Sequence, residues 1–207
     1  MTLLDRIILL LTGLVAAYLT WRLYTRYAKQ NKLHDLYYMM GFVVLLVSGV
    51  LLIFRGYGIL GSTFVLTVAT LIPLGIAMGL MNQFLPAFKK YFSWFALVGL
   101  LAIALTSATG SPLKKLAVPV FHGVAGLIII LIPIWASRGG KASNGFWWVG
   151  VGGVLISLGG IALAFLSTGA QLLFFSAEFV FMILAPLLLL MALAFSYGFM
   201  KDIAAKG

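Results

Sequence analysis

Seven apolar runs, each close to the roughly 20 residues that cross a bilayer as a helix, follow one another with only short polar or basic breaks. In hydrocarbon such a run has to satisfy its own backbone hydrogen bonds, so each is read as a helix. The spans fall at about 4–27, 36–55, 59–84, 90–108, 115–137, 145–167 and 173–200. Composition agrees: 63% of residues are hydrophobic, 9% are charged, and the mean hydropathy is +1.16. In 207 residues this leaves no room for a separate soluble domain. The expectation is an all-α integral membrane protein forming one seven-helix transmembrane domain over residues 1–207. Cysteine is absent, which excludes disulfides, thiolate chemistry and Cys-ligated metals.

Orientation follows from the basic residues. Arg6, Arg55, Lys114 and Lys115 lie on one side. Arg22, Arg26, Lys29, Lys32, Lys89, Lys90, Arg138, Lys141, Lys201 and Lys206 lie on the other. Cytoplasmic loops carry the Lys and Arg excess, so the N-terminus is placed outside and the C-terminus in the cytoplasm. All five tryptophans fall near the same inner interface. The net charge of +10 is read as topology and attraction to anionic head groups rather than nucleic-acid binding, since no basic stripe lies on a soluble surface. The expected partners are membrane lipids at the cytoplasmic face, a second copy, or other membrane subunits. The expected location is a prokaryotic plasma membrane. The first span has a basic flank downstream rather than upstream, the reverse of a secretory signal. Its end, where Trp21, Tyr24 and Tyr27 alternate with Arg22, Arg26 and Lys29, is expected to snorkel into head groups.

Gly150, Gly153, Ser157, Gly160, Ala164 and Ser167 are spaced 3, 4, 3, 4, 3 along the sixth span. That spacing makes one seam of small residues. In lipid, helices associate where small side chains let backbones approach, so this helix is expected to press tightly on a neighbour.

A repeat is the next signal. Residues 44–58 (VLLVSGVLLIFRGYG) align with 155–169 (LISLGGIALAFLSTG), and 71–78 (LIPLGIAM) with 184–191 (LAPLLLLM). TGLV (12–15) aligns with AGLI (125–128). The order of the matches gives a 3+1+3 plan: repeat 1 over about 4–84, a linker helix over about 90–108, and repeat 2 over about 115–200. An odd linker sets the halves parallel. Pro73 and Pro186 align within it and are expected to bend the third and seventh spans at matched depths, as hinges. The plan is similar to that of the SWEET sugar transporters and the PnuC vitamin carriers. The resemblance is of plan alone, since the prolines do not sit in helices 1, 2, 5 and 6 as a SWEET requires.

Ionisable groups within the membrane are costly and tend to be functional. Three are read as such: Glu178, His122 and Arg55. Thr63, Thr67, Thr70, Gln171 and Ser176 share the outer half with them, which suggests a substrate or proton pocket open to the outside. The plainer alternatives are hydroxyls bonded to their own helix and a Glu178 at the interface, paired with Arg55. His122 as a haem ligand requires a Met or a partner's His opposite, because His34 lies on the other side; no cofactor is assigned. No lysine lies within the seventh span for a retinal Schiff base, and no HExxH, GxSxG, paired aspartates or phosphate loop is present. An enzyme is not expected. Two readings remain. One is a small-solute carrier, proton-coupled through Glu178 or His122. The other is a non-catalytic subunit of a respiratory, photosynthetic or other membrane complex, holding lipid, quinone or pigment.

Overall fold

The structure is a computed structural model. It describes the backbone of residues 1–167 and 176–206, and the side chains among them except at 61, 162–167, 177 and 206. Within these the chain is helical without a strand. The helices are α1 (Leu3–Gln30), α2 (Leu33–Arg55), α3 (Thr63–Ala69), α4 (Leu71–Phe84), α5 (Lys89–Ala108), α6 (Lys114–Arg138), α7 (Trp148–Ser167) and α8 (Ala177–Lys206). With α3 and α4 taken together, six helices are long and apolar enough to cross a membrane. In α7 the described apolar stretch is the shorter Trp148–Ile161.

Local chemistry sets the ends. Thr2 and Asp5 form a reciprocal capping box at the start of α1, with Asp5 N–H donating to Thr2 Oγ1 at 3.1 Å and Thr2 N–H to Asp5 Oδ2 at 2.7 Å. Asn31 closes α1 in the left-handed region at φ 50°, where a short polar side chain is tolerated. The 2.7 Å bond from its N–H to the Tyr27 carbonyl completes the cap. Gly56 ends α2 at φ 70°, which favours glycine.

The third span is interrupted. Pro73 has no N–H for the Ala69 carbonyl, and α3 stops at Ala69 while α4 restarts at Leu71. At the joint the Thr70 hydroxyl donates to the Thr67 carbonyl at 2.6 Å. In the seventh span α8 runs through Pro186 without such an interruption. The helix α6 likewise continues through Pro119 and Pro133.

The helices close a ring. Packing runs α1 to α2, α2 to α4, α4 to α6, α6 to α7, α7 to α8, and α8 back to α1. The remaining long helix, α5, lies against α3, α4 and α6. This leaves α4 enclosed on several sides, with ten of its fourteen residues buried. The outward faces of the other helices expose large apolar side chains, among them Leu3, Leu14, Phe54, Phe64, Leu105 and Leu131. A surface this apolar suits hydrocarbon, not water.

Glycines set the closest approaches. A Cβ on Gly75 would stand 2.9 Å from the Tyr37 carbonyl oxygen, so α2 and α4 meet backbone to backbone. The α7 seam faces α6: a Cβ on Gly150 would stand 2.8 Å from the Ile130 carbonyl oxygen, and one on Gly153 3.0 Å from the Ile129 carbonyl carbon. Ser157 meets Gly126, and Gly160 meets the His122 ring. The side chains of Ala164 and Ser167 lie outside the described residues. A second glycine face of α7, at Gly152 and Gly159, meets Phe195 and Leu187 of α8. The described part of the seam is thus filled from within one chain.

Candidate functional site

Each of three helices has a buried stripe that ends in a charge. On α1 the stripe includes Leu9, Thr12, Ala16, Leu19, Leu23 and then Arg26. On α2 it begins with Asp35 and continues through Tyr38, Phe42, Leu45, Gly49 and Leu52. On α8, Ala192, Phe195 and Phe199 lead to Asp202. Helical periodicity places each charge on the face that packs inward, and all three meet at one end of the ring. Arg26 is 4% exposed, and Asp35 and Asp202 are 0% exposed.

The geometry is that of a fork and a chain. Arg26 Nε donates to Asp35 Oδ1 at 3.0 Å and Oδ2 at 3.1 Å, and Nη2 also bonds Oδ1. Arg26 Nη1 reaches Asp202 Oδ2 at 3.3 Å. Gln83 of α4 donates to the same Asp202 oxygen at 3.2 Å, and the Tyr38 hydroxyl donates to Gln83 Oε1 at 2.7 Å. His34 stands at the rim, Nε2 to Asp35 Oδ1 3.8 Å. Four helix ends are therefore joined by one network in which one guanidinium faces two carboxylates. Asp35 sits in the first turn of α2, where the helix dipole favours an anion. Asp202 sits near the C-terminal end of α8, where the dipole disfavours one, so it depends on Arg26 and Gln83.

Above the network lies an aromatic plug. Tyr38 and Phe42 of α2 meet Phe199 at ring-centre distances of 4.6 and 5.6 Å, and Phe42 meets Phe195 at 5.8 Å. Phe84 of α4 meets Phe146, just before α7, at 5.4 Å. All of these except Phe84 are essentially inaccessible. At the other end of the ring a smaller cluster closes the space with Leu9, Leu52 and Ala185.

The arrangement corrects the reading of Arg26 as a head-group anchor. Its side chain is internal because position 26 continues the buried stripe of α1. The enclosed ionisable groups differ from the expected set: Arg26, Asp35 and Asp202 belong to it, whereas Glu178 and Arg55 do not. The missed signal was the 3, 4, 3, 4, 3 spacing itself, which runs 9, 12, 16, 19, 23, 26 on α1 and 35, 38, 42, 45, 49, 52 on α2.

The outer candidates have more local roles. Thr67 bonds the Thr63 carbonyl at 2.9 Å and Thr70 the Thr67 carbonyl, while Thr63 reaches across to the Ser107 carbonyl on α5 at 3.3 Å. Ser176 accepts from the Phe179 N–H at 3.3 Å at the start of α8. Arg55 and Glu178 are exposed, and among the described residues they form no ion pair with each other. Gln171 lies outside the described residues. His122 stands apart. Its ring lies in the α6–α7 seam over Gly160 and bonds the backbone of Ile156, while Nε2 is buried with no hydrogen-bond partner. Among the described residues no group of three His, Asp or Glu is placed to hold a metal.

Comparison with family models, curated proteins and solved structures finds no match.

Proposed function

We propose that the chain is an integral membrane carrier for a small solute, built as two parallel three-helix halves around a path that the network and the aromatic plug close at the cytoplasmic end. The observation that carries this reading is the order of the ring. Within the first half, neighbours run α1, α2, α4; within the second they run α6, α7, α8; and the halves join where α4 meets α6 and α8 meets α1. A two-fold repeat with α5 as linker predicts this order.

The chemistry of the closed end fits a boundary that opens between halves. The Arg26–Asp35 fork and the Tyr38–Gln83 bond lie inside the first half and survive separation. The bonds that break are those of Asp202 to Arg26 and to Gln83. Arg26 then stays neutralised by Asp35, and only a carboxylate near a helix end needs water. Separation avoids the expensive outcome, a buried guanidinium without a partner. The plug divides along the same line, since Phe195 and Phe199 come from α8 and their partners Tyr38 and Phe42 from α2.

His122 is the group assigned to carry a coupling proton. An imidazole with one unsatisfied nitrogen can accept a proton without first losing a bond, whereas Glu178 is already exposed. The competing reading, a subunit that docks through the small-residue seam, is disfavoured because α6 fills the described part of that seam.

The test is uptake by proteoliposomes of the full chain, with labelled sugars, amino acids and vitamins, with and without a pH gradient. Saturable uptake of one class, with gradient dependence lost in His122→Gln, supports the carrier. Uptake at the protein-free level for every class, together with stoichiometric co-purifying subunits or a haem band, overturns it.

A further inference from the structure

The basic end of the bundle carries a second feature that the carrier reading does not use. A groove of about 490 Å³ runs between α2, α4 and α5, within the roughly 300–1,000 Å³ of small-molecule sites. One end is marked by Lys89, Lys90 and Asn82, and its apolar length by Met78 and Leu97, with Trp94 alongside. Lys89 and Leu97 are eight residues apart on one helix, so the groove extends about 12 Å from its charged end.

Charge decides what the lysine end takes. The chain has four acidic residues, and none lines the groove. Asp5 is in the capping box at the start of α1, Glu178 begins α8, and Asp35 and Asp202 are held by Arg26. Lys89 and Lys90 are exposed and, among the described residues, form no ion pair. Two uncompensated ammonium groups at the mouth of an apolar slot, with an amphipathic tryptophan beside them, match a molecule with an anionic head and a hydrocarbon tail. Basic pockets between membrane helices recognise such head groups.

We propose that this groove holds one anionic phospholipid, its phosphate at Lys89 and Lys90 with the Asn82 amide as a further donor, and an acyl chain along Met78 and Leu97. A free phosphate would use the lysine end and leave the apolar length unfilled. The inference requires that the helices span a bilayer and is independent of what the ring transports.

The test is native mass spectrometry of the full chain in detergent, counting retained phosphatidylglycerol against phosphatidylcholine, with inorganic phosphate in excess as a competitor. The intact protein is expected to retain one phosphatidylglycerol in preference. In Lys89→Ala/Lys90→Ala that preference is expected to fall roughly tenfold or more. It is expected to persist in Lys114→Ala/Lys115→Ala, which removes an equal charge elsewhere. Leu97→Trp, which fills the slot and leaves both lysines, is expected to lose lipid of either kind. Equal losses in the two lysine pairs would mean diffuse surface charge. Displacement by phosphate, or full retention in Leu97→Trp, would mean an anion site only. Each of these results overturns the proposal.

Discussion

Arg26 bonds both Asp35 and Asp202, and its loss has a definite sign. Removing the guanidinium takes away the cation that Asp35 and Asp202 share. Breaking a buried pair by deleting one partner costs about 3–5 kcal/mol. Arg26→Ala is therefore expected to lower stability by about that amount in detergent, read as a shift of the thermal midpoint at constant detergent and pH. Asp202→Asn is expected to cost clearly less, since Arg26 keeps its fork on Asp35 and the site loses its excess negative charge. A larger loss in Asp202→Asn than in Arg26→Ala would contradict the assignment of Arg26 as the hub. The charges themselves were visible in the sequence, but their partners were not. Arg26 and Asp202 are 176 positions apart, and only the closure of α8 onto α1 brings them together. Position 26 also stands among Arg22 and Lys29, which do not share its stripe, so a basic helix end read as a block hides the one member that turns inward.

At the scale of helices, what distinguishes α7 is that both its neighbours press against glycine. Gly150 meets backbone on α6, which cannot yield as a side-chain tip can. Gly150→Ala is expected to force the helices apart at a cost of about 1–3 kcal/mol. Gly123 of α6 is the matched control, because a Cβ there meets nothing within 4 Å. Replacing a helical glycine in open space gains roughly 0.5–1 kcal/mol, so Gly123→Ala is expected to raise the thermal midpoint where Gly150→Ala lowers it. The same sign for both would mean that α6 and α7 do not pack through the seam. The seam was legible because spacing alone defines a helix face. Which neighbour fills it was not, since α6 and α8 both flank α7 and the glycines serve each on a different side. The interruption in the third span was legible at Pro73, and the continuity of α8 through Pro186 was not. A proline removes one hydrogen bond wherever it stands, and its surroundings decide whether the helix stops.

At the scale of the whole molecule, the ring of six helices, with α5 against one side, puts the largest buried aromatic cluster and the charge network at the same end. The all-helical character and six of the seven expected spans were readable from apolar run length, and the basic bias from the positions of Lys and Arg. The ring order was not, because residue spacing constrains faces and leaves helix-to-helix adjacency open. Both the plug and the network lie across the boundary between the proposed halves, which makes that boundary the central claim. The chain has no cysteine, so one introduced thiol reports without background. Ala192 is 1% exposed, lies on α8 three residues before Phe195, and is close to cysteine in size. The decisive measurement is the labelling of Ala192→Cys by a membrane-impermeant maleimide applied from the cytoplasmic side of inverted vesicles, alone and combined with Asp202→Asn. The predicted result is protection in the first and labelling in the second, because weakening the network lets the halves part. Equal protection in both, with the double variant still folded by its thermal midpoint, would show a static weld and contradict the account.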